Sequence, residues 1–264
     1  MKIIVSVFFL AALVTITSLL MSSSFHNECK DIYEEHGTTG SFVLYDHKND
    51  SYDYCNEIRC EKRFCPASTF KIPNSIIGLE TGAIDPDEKF KWDGKQRAIP
   101  SWNQDHVLKS AYRHSVVPYY KELARRVGEK KMRAYLKKFD YGNMDCSGKI
   151  DEFWLNGVLK ITQKEQIEFL KKLFDKKLGI SRRTDSIMND IMIFRQTYKY
   201  TIRAKTGASI VDKIGWFVGW VETDDNVYFF ANNIEFDGKL TREFMKKRID
   251  TALDILKKKG IIKN

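Results

Sequence analysis

The stretch Ser68-Thr69-Phe70-Lys71 places a hydroxyl and an amine three residues apart. On a helix, this spacing puts both side chains on one face and within reach of each other. A serine hydroxyl is a poor nucleophile by itself and needs an adjacent base, which Lys71 would provide. The stretch therefore predicts a helix that carries a paired nucleophile and base.

A second motif, Lys205-Thr206-Gly207, lies far downstream. It offers a cation, a hydroxyl and a glycine that lets a substrate approach the backbone. Such a tripeptide at a strand end often arises by chance, so its weight comes from its combination with Ser68 and Lys71. Together the two motifs predict an acyl-transfer site.

Length and charge limit the remaining classes of function. The chain has 264 residues, of which 43% are hydrophobic, enough for one large domain or two closely packed ones. The formal net charge is +9, but the lysines recur beside apolar helical positions, as on solvated helix faces. Nucleic-acid recognition motifs are missing, and the histidines form no cluster of metal ligands, so we expect neither a nucleic-acid partner nor a metal.

The N-terminus predicts an export signal. Lys2 provides a basic start, residues 3–21 are almost wholly apolar, and three serines follow at 22–24. We therefore predict a signal peptide over residues 1–24, a domain over residues 25–264, and a periplasmic or secreted location. The apolar run is also long enough for an uncleaved membrane anchor, which would be the chain's one stable membrane span.

Five cysteines follow the predicted signal. An exported chain can form disulfides, and an odd count leaves at least one thiol free or intermolecular. Cys65 lies three residues before Ser68 and is equally consistent with a small buried apolar residue. The pairing is left open by the sequence. The five are Cys29, Cys55, Cys60, Cys65 and Cys146.

Hydrophobic periodicity predicts strands at both chain ends and helices between them. The segment 85–110 has little periodicity and is interpreted as a loop-rich cover. This order predicts an α/β (α+β) fold, with an antiparallel sheet from both chain ends, flanking helices and an inserted helical subdomain. The cleft between the two parts would bring Ser68 toward Lys205. The predicted strands are 40–46, 52–56, 200–205, 214–222 and 227–234, and the predicted helices are 68–81, 119–127, 130–139, 187–194, 241–259 and one after Thr162.

Further motifs occur in a fixed order along the chain. With the first two, the motifs are Pro66-Ala67-Ser68-Thr69-Phe70-Lys71, Ser115-x-Val117, Tyr141-Gly142-Asn143, Asp151-x-Phe153-Trp154-Leu155, Lys205-Thr206-Gly207, Gly215-Trp216-Phe217-Val218-Gly219-Trp220 and Gly260-Ile261-Ile262. In this order they resemble the class D serine β-lactamases, the oxacillinase family, over nearly the whole chain after residue 24.

The resemblance implies a penicillin-recognising fold and hydrolysis of the β-lactam ring of penicillin-type antibiotics. Ser68 would form an acyl-enzyme, and Lys71, carboxylated by carbon dioxide or bicarbonate, would be the general base of both half-reactions. No other cofactor is implied. Only a neutral amine adds to carbon dioxide, so the pKa of Lys71 must fall, as it does on apolar burial. Phe70, Val117 and Leu155 would supply the apolar wall.

The resemblance also assigns roles to the remaining site residues. Ser115 would relay a proton to the leaving lactam nitrogen, although its local sequence equally suits a helix cap. The indole N–H of Trp154 would steady the carboxylated lysine, although core packing is the alternative. Backbone N–H groups of Ser68 and Ala208 would form the oxyanion hole.

The substrate carboxylate would be bound by several groups. Lys205 would place positive charge nearby, Thr206 would donate a hydrogen bond, and Gly207 would allow close approach. The family also uses an arginine of the C-terminal helix, since a guanidinium suits a carboxylate. Arg248 fits that position best, and Arg242 is the alternative. Without the resemblance, either arginine would be interpreted as lying on a solvated helix face.

Three other interpretations stay in view. A β-lactam sensor domain would stop at the acyl-enzyme, and a peptidoglycan D,D-peptidase would use the same nucleophile pair. The class A pattern fits less well, because its Ser-Asp-Asn motif is Ser115-Val116-Val117 here. Glu152 and Glu165 have no recognisable class A context. The preferred β-lactam subclass and a homodimer are left open.

Overall fold

The computed structural model describes residues 25–263. The predicted export signal at residues 1–24 therefore lies outside the described residues. Within 25–263, no helix has both the length and the apolar character that a membrane crossing requires.

One six-stranded sheet organises the molecule, and its paired strands are antiparallel. The strand order β2-β1-β6-β5-β4-β3 joins strands from both chain ends, which confirms the predicted sheet. The strands are β1 Gly40–Asp46, β2 Ser51–Cys55, β3 Ile193–Gln196, β4 Tyr200–Ser209, β5 Ile214–Thr223 and β6 Val227–Glu235.

Helices cover both faces of this sheet. Side chains alternate between the faces of a strand, so Leu44, Phe217 and Phe230 face one hydrophobic core while Val43 and Trp216 face the other. The first core lies under α1 and α9, and the second lies under the helices inserted between β2 and β3. The helices are α1 (25–35), α2 Glu57–Cys60, α3 Lys71–Glu80, α4 Leu108–Arg113, α5 Val117–Val127, α6 Glu129–Phe139, α7 Gln163–Phe174, α8 Arg182–Ile191 and α9 Arg242–Lys258.

Several local predictions are confirmed and others are wrong. Thr162 caps α7 with a reciprocal bond to Glu165, as its sequence predicts. The predicted helix 187–194 is wrong at its end, because α8 stops at Ile191 and Ile193–Gln196 forms the edge strand β3. Pairing with β4, a long-range contact, overrides the local apolar pattern there.

Three helices were not predicted from the sequence. The helices α1 and α2 were not foreseen, and α4 begins inside the segment interpreted as loop-rich cover. The strand β4 also runs on to Ser209, so Lys205-Thr206-Gly207 lies within the strand and not at its end.

The turn Tyr141-Gly142-Asn143 fixes the irregular segment that follows it. Asn143 donates from Nδ2 to Val158 O at 2.9 Å, and its Oδ1 accepts from Lys160 N at 2.9 Å. Gly142 has a φ of 58°, and a Cβ at this position would lie 2.2 Å from Lys160 O. Glycine is therefore required where the two chain segments meet.

We predict that Gly142→Ala lowers the free energy of unfolding by roughly 2 to 4 kcal/mol, through steric overlap and a positive φ. Urea denaturation of the purified protein measures this loss. Gly148→Ala is the matched control, because Gly148 has a φ of 83° but an added Cβ meets no atom within 4 Å. Equal losses in the two variants would contradict the role of the close approach.

Candidate active site

Ser68 and Lys71 are in direct contact. Lys71 Nζ donates a hydrogen bond to Ser68 Oγ at 2.9 Å. Ser68 lies in the 3-10 turn Ala67–Phe70, and Lys71 is the first residue of α3. Ala67 has a φ of 47°, an uncommon conformation for a residue with a side chain, so the turn holds Ser68 with local backbone strain.

Lys71 is buried without an acidic partner. Its exposed fraction is 1%, and no carboxylate among residues 25–263 pairs with it. Burial lowers the pKa of its amine to about 7. Apart from Ser68 Oγ, its neighbour is the ring of Tyr120, whose centroid lies 5.0 Å from Nζ.

The apolar wall differs from the predicted set in one respect. Phe70 is fully buried, and Leu155 is half-buried against the core under the inserted helices. Val117 is half-buried at the start of α5, but the ring over the Lys71 amine belongs to Tyr120, one turn later. Sequence reasoning missed Tyr120, although its i,i+3 spacing from Val117 puts both on one helix face.

Trp154 lies beside this wall. Its ring stacks on Phe70 with centroids 5.4 Å apart and meets Phe153 edge-on at 5.1 Å. Its carbonyl oxygen accepts a hydrogen bond from Cys65 Sγ at 3.0 Å. The indole N–H donates to no residue in the range 25–263, so Trp154 combines core packing with an available donor.

Ser115, just before α5, has a side-chain hydroxyl without a hydrogen-bond partner. Its Oγ is buried and makes no hydrogen bond, and its φ is 56°. The alternative role as a helix cap is not met, because the N-cap of α5 is Val116 and no side chain caps that end. A buried hydroxyl without a partner is costly, which is typical of a functional position.

Lys205 is a second buried cation. It is 5% exposed, donates from Nζ to Thr206 O at 3.1 Å, and lies 5.5 Å from the ring centroid of Tyr112. Its pKa is held well below the usual range, first by burial and then by the positive charges of Lys71 and Arg248. Thus three basic side chains, Lys71, Lys205 and Arg248, meet in one site, and none has an acidic partner in the described chain.

The two candidate arginines separate clearly. Arg248 is 5% exposed and donates from Nη1 to Gly207 O and from Nε to Met245 O, the latter at 3.1 Å. Burial lowers the pKa of Arg248 to about 10. Gly215 makes room for it, since a Cβ there would lie 3.3 Å from Arg248 Cδ. Arg242 is exposed at the first position of α9.

The strand β4 packs closely on the turn that carries Ser68. A Cβ at Gly207 would lie 3.0 Å from Pro66 O and 3.2 Å from Thr69 N. The pairing of β3 with β4 stops at Arg203, so the strand edge at Gly207 and Ala208 is left to this turn. Thr206 and Ala208 are half-buried on either side of Gly207.

A cavity of about 810 Å³ opens at the start of α5, with Val116, Val117 and Trp102 in its lining. Trp102 Nε1 donates to His114 O at 2.9 Å, which ties the cavity wall to the residue before Ser115. Sequence reasoning assigned Trp102 only to the loop-rich cover. Across residues 25–263, no three His, Cys, Asp or Glu side chains are grouped to hold a metal.

Known proteins are similar to this chain over most of its length. Residues 37–256 match the penicillin binding protein transpeptidase domain. The chain is 47% identical over 224 residues to β-lactamase OXA-48 of Klebsiella pneumoniae, covering 82% of this chain and 84% of that protein. Its fold matches a class D β-lactamase, YbXI, from Nostoc, with a TM-score of 0.84, 43% identity and coverage of 88% and 98%. It also matches one from Sebaldella termitidis, with a TM-score of 0.86, 39% identity and coverage of 89% and 97%.

We predict that Lys71→Met raises the free energy of unfolding at neutral pH by roughly 3 to 5 kcal/mol, since it removes a poorly solvated amine. The folded pKa of about 7 lies below the unfolded value of about 10.4, so the unfolded state binds more protons between them. The loss of stability that Lys71 causes is therefore complete below about pH 7 and disappears toward pH 10.4.

Urea denaturation at several pH values, in buffer free of carbon dioxide, measures this difference. Lys246→Met is the control, because Lys246 is exposed on α9. A wild-type minus Lys71→Met difference that does not change with pH would contradict the burial of an unpaired amine.

Proposed function

Because the chain belongs to the class D β-lactamases, we propose that it opens the β-lactam ring of penicillin-type antibiotics through an acyl-enzyme on Ser68, with carboxylated Lys71 as general base. The chain is a serine β-lactamase by its relatives. The observation that carries the mechanism is the buried Lys71 amine, 2.9 Å from Ser68 Oγ and without an acidic partner.

The surroundings of Lys71 favour its carboxylation. A pKa of about 7 keeps a large neutral fraction at physiological pH, and only the neutral amine bonds to carbon dioxide, releasing a proton. The carboxylate so formed supplies a base for the Ser68 proton and later for a water proton. Phe70 and Tyr120 exclude water, and the unpaired Trp154 N–H is available to donate to the added carboxylate.

The other residues would act at distinct atoms. Ser68 Oγ forms a bond to the lactam carbonyl carbon while the N–H groups of Ser68 and Ala208 stabilise the oxyanion. The carbon–nitrogen bond then breaks, and Ser115 passes a proton to the ring nitrogen. Water cleaves the resulting ester, which releases the ring-opened acid and restores Ser68. The buried, unpaired Ser115 Oγ supports this relay.

The basic groups Lys205 and Arg248 support an anionic substrate. Besides burial, the charge of Arg248 lowers the Lys205 pKa, and neither side chain has an acid to offset it in the described chain. A substrate carboxylate bound by Lys205, Thr206 and Arg248 would relieve this repulsion. Gly207 and Gly215 allow the strand, the turn and Arg248 to converge there.

An exported location, periplasmic or secreted, completes the proposal, with residues 1–24 as its signal. This location rests on the basic start and apolar run of the sequence. A β-lactam sensor or a peptidoglycan-acting enzyme would also form the acyl-enzyme. The matched family, the penicillin binding protein transpeptidase domain, is consistent with that shared step. Turnover distinguishes them from a hydrolase.

We predict that the purified protein hydrolyses a chromogenic cephalosporin with repeated turnovers, and that bicarbonate raises the rate. Ser68→Ala and Lys71→Ala should each lose about 10²- to 10⁴-fold in kcat/KM, because the nucleophile or its base is gone. Stopped-flow absorbance and intact-protein mass measure turnover and acyl-protein.

Lys246→Ala is the control for loss of a lysine, because this side chain is exposed. A single stoichiometric burst that leaves a stable acyl-protein and ignores bicarbonate would overturn the hydrolase mechanism. That outcome would indicate a sensor or a peptidoglycan-acting enzyme.

We predict that Arg248→Ala raises KM for benzylpenicillin about 10- to 100-fold, with a smaller change in kcat, because a charged hydrogen bond to the carboxylate is lost. Arg242→Ala, on the exposed first turn of α9, should leave KM near the wild-type value. The kinetics are compared at equal folded fraction, checked by circular dichroism. A larger effect of Arg242→Ala would reverse the assignment.

A further inference from the structure

Two cysteines outside the active site meet where α1 packs against β2. Cys29 lies on the buried face of α1, and Cys55 ends β2; both belong to the core under α1 and α9. Cys55 Sγ lies 3.9 Å from the carbonyl oxygen of His26, one helical turn before Cys29. The backbone N–H of Asn56 also donates to His26 Nδ1 at 3.3 Å, so the end of β2 is held against this turn of α1.

The two thiols lie in the same buried core. Cys29 is 0% exposed and Cys55 is 2% exposed, and Cys55 Sγ packs against the turn of α1 that contains Cys29. The proximity of Cys55, with burial, raises the pKa of Cys29 well above its usual range. Both thiols are reduced in the structure.

The remaining cysteines have other partners. Cys60 Sγ donates to two backbone carbonyls, Cys55 O at 3.5 Å and Phe42 O at 3.7 Å. Cys65 Sγ donates to Trp154 O in the active-site wall, and Cys146 lies in the core under the inserted helices.

We propose that Cys29 and Cys55 are joined by a disulfide bond when the chain folds under oxidising conditions. Two S–H bonds break and one S–S bond forms; two protons and two electrons pass to a disulfide oxidant such as glutathione disulfide, which becomes two thiols. Buried thiols react slowly, so the oxidation takes place during folding, before α1 covers Cys55. Cys60, Cys65 and Cys146 remain as thiols.

The cross-link would fasten the helix that supports part of the active site. Tyr33 of α1 donates from its hydroxyl to Asn232 Oδ1 at 2.8 Å, and Asn232 Nδ2 donates to Arg248 O at 2.9 Å. Cys29 lies one turn before Tyr33 on the same buried face of α1. A disulfide at Cys29 therefore stabilises a helix whose detachment would release Arg248.

The test is to unfold the full chain with reductant and refold it either with glutathione disulfide or with excess dithiothreitol. Peptide mapping of the oxidised product without reduction should yield a Cys29–Cys55 linked peptide lacking two hydrogens, with the other three cysteines alkylated. Closing a loop of roughly 25 residues should raise Tm by roughly 5 to 12 °C over the reduced protein.

Cys29→Ser and Cys55→Ser should each abolish the oxidant-dependent rise in Tm, while Cys146→Ser should retain it. Alkylation of both Cys29 and Cys55 after oxidative refolding, or a Cys55–Cys60 link in their place, would overturn the proposal. The mapping uses the wild-type chain and needs no variant to fold. It is independent of β-lactam turnover, so its outcome is separate from that of the catalytic mechanism.

Discussion

The burial of Lys71 beside Ser68, with no carboxylate to balance it, is the constraint on which the active site depends. An ordinary lysine would stay charged and exposed, whereas this one loses its proton near neutral pH because solvent is excluded. That exclusion requires an apolar wall made by distant segments. Phe70 comes from the turn itself, Tyr120 from α5, and Trp154 from the segment pinned by Asn143.

The fold also brings the second part of the site, formed by β4 and α9, to Ser68. The two chain ends form one antiparallel sheet, and the helical insertion folds back over one face of it. This places β4 against the turn that carries Ser68. Arg248 of α9 extends across β5 and donates to the Gly207 carbonyl. Two glycines, Gly207 and Gly215, make these approaches possible. The outcome is a pair of basic groups, Lys205 and Arg248, that an anionic substrate would balance.

Local patterns in the sequence predicted what local physics determines. Short-range geometry determines the Ser68–Lys71 contact, the Thr162 cap and the alternating strands. The structure contains all three. The edge strand β3 was missed because its four residues are strand only through pairing with β4. No sequence pattern signals the positive φ values of Ala67 and Ser115, which tertiary packing imposes.

The most direct test of the account is carbon-13 NMR of the protein equilibrated with carbon-13 bicarbonate, compared with Lys71→Met. The account predicts one carbamate resonance that grows as the pH rises through about 7, where the buried amine loses its proton, and that is absent from the variant. A folded wild-type protein that shows no such resonance above that pH, or a resonance that persists in Lys71→Met, would contradict it.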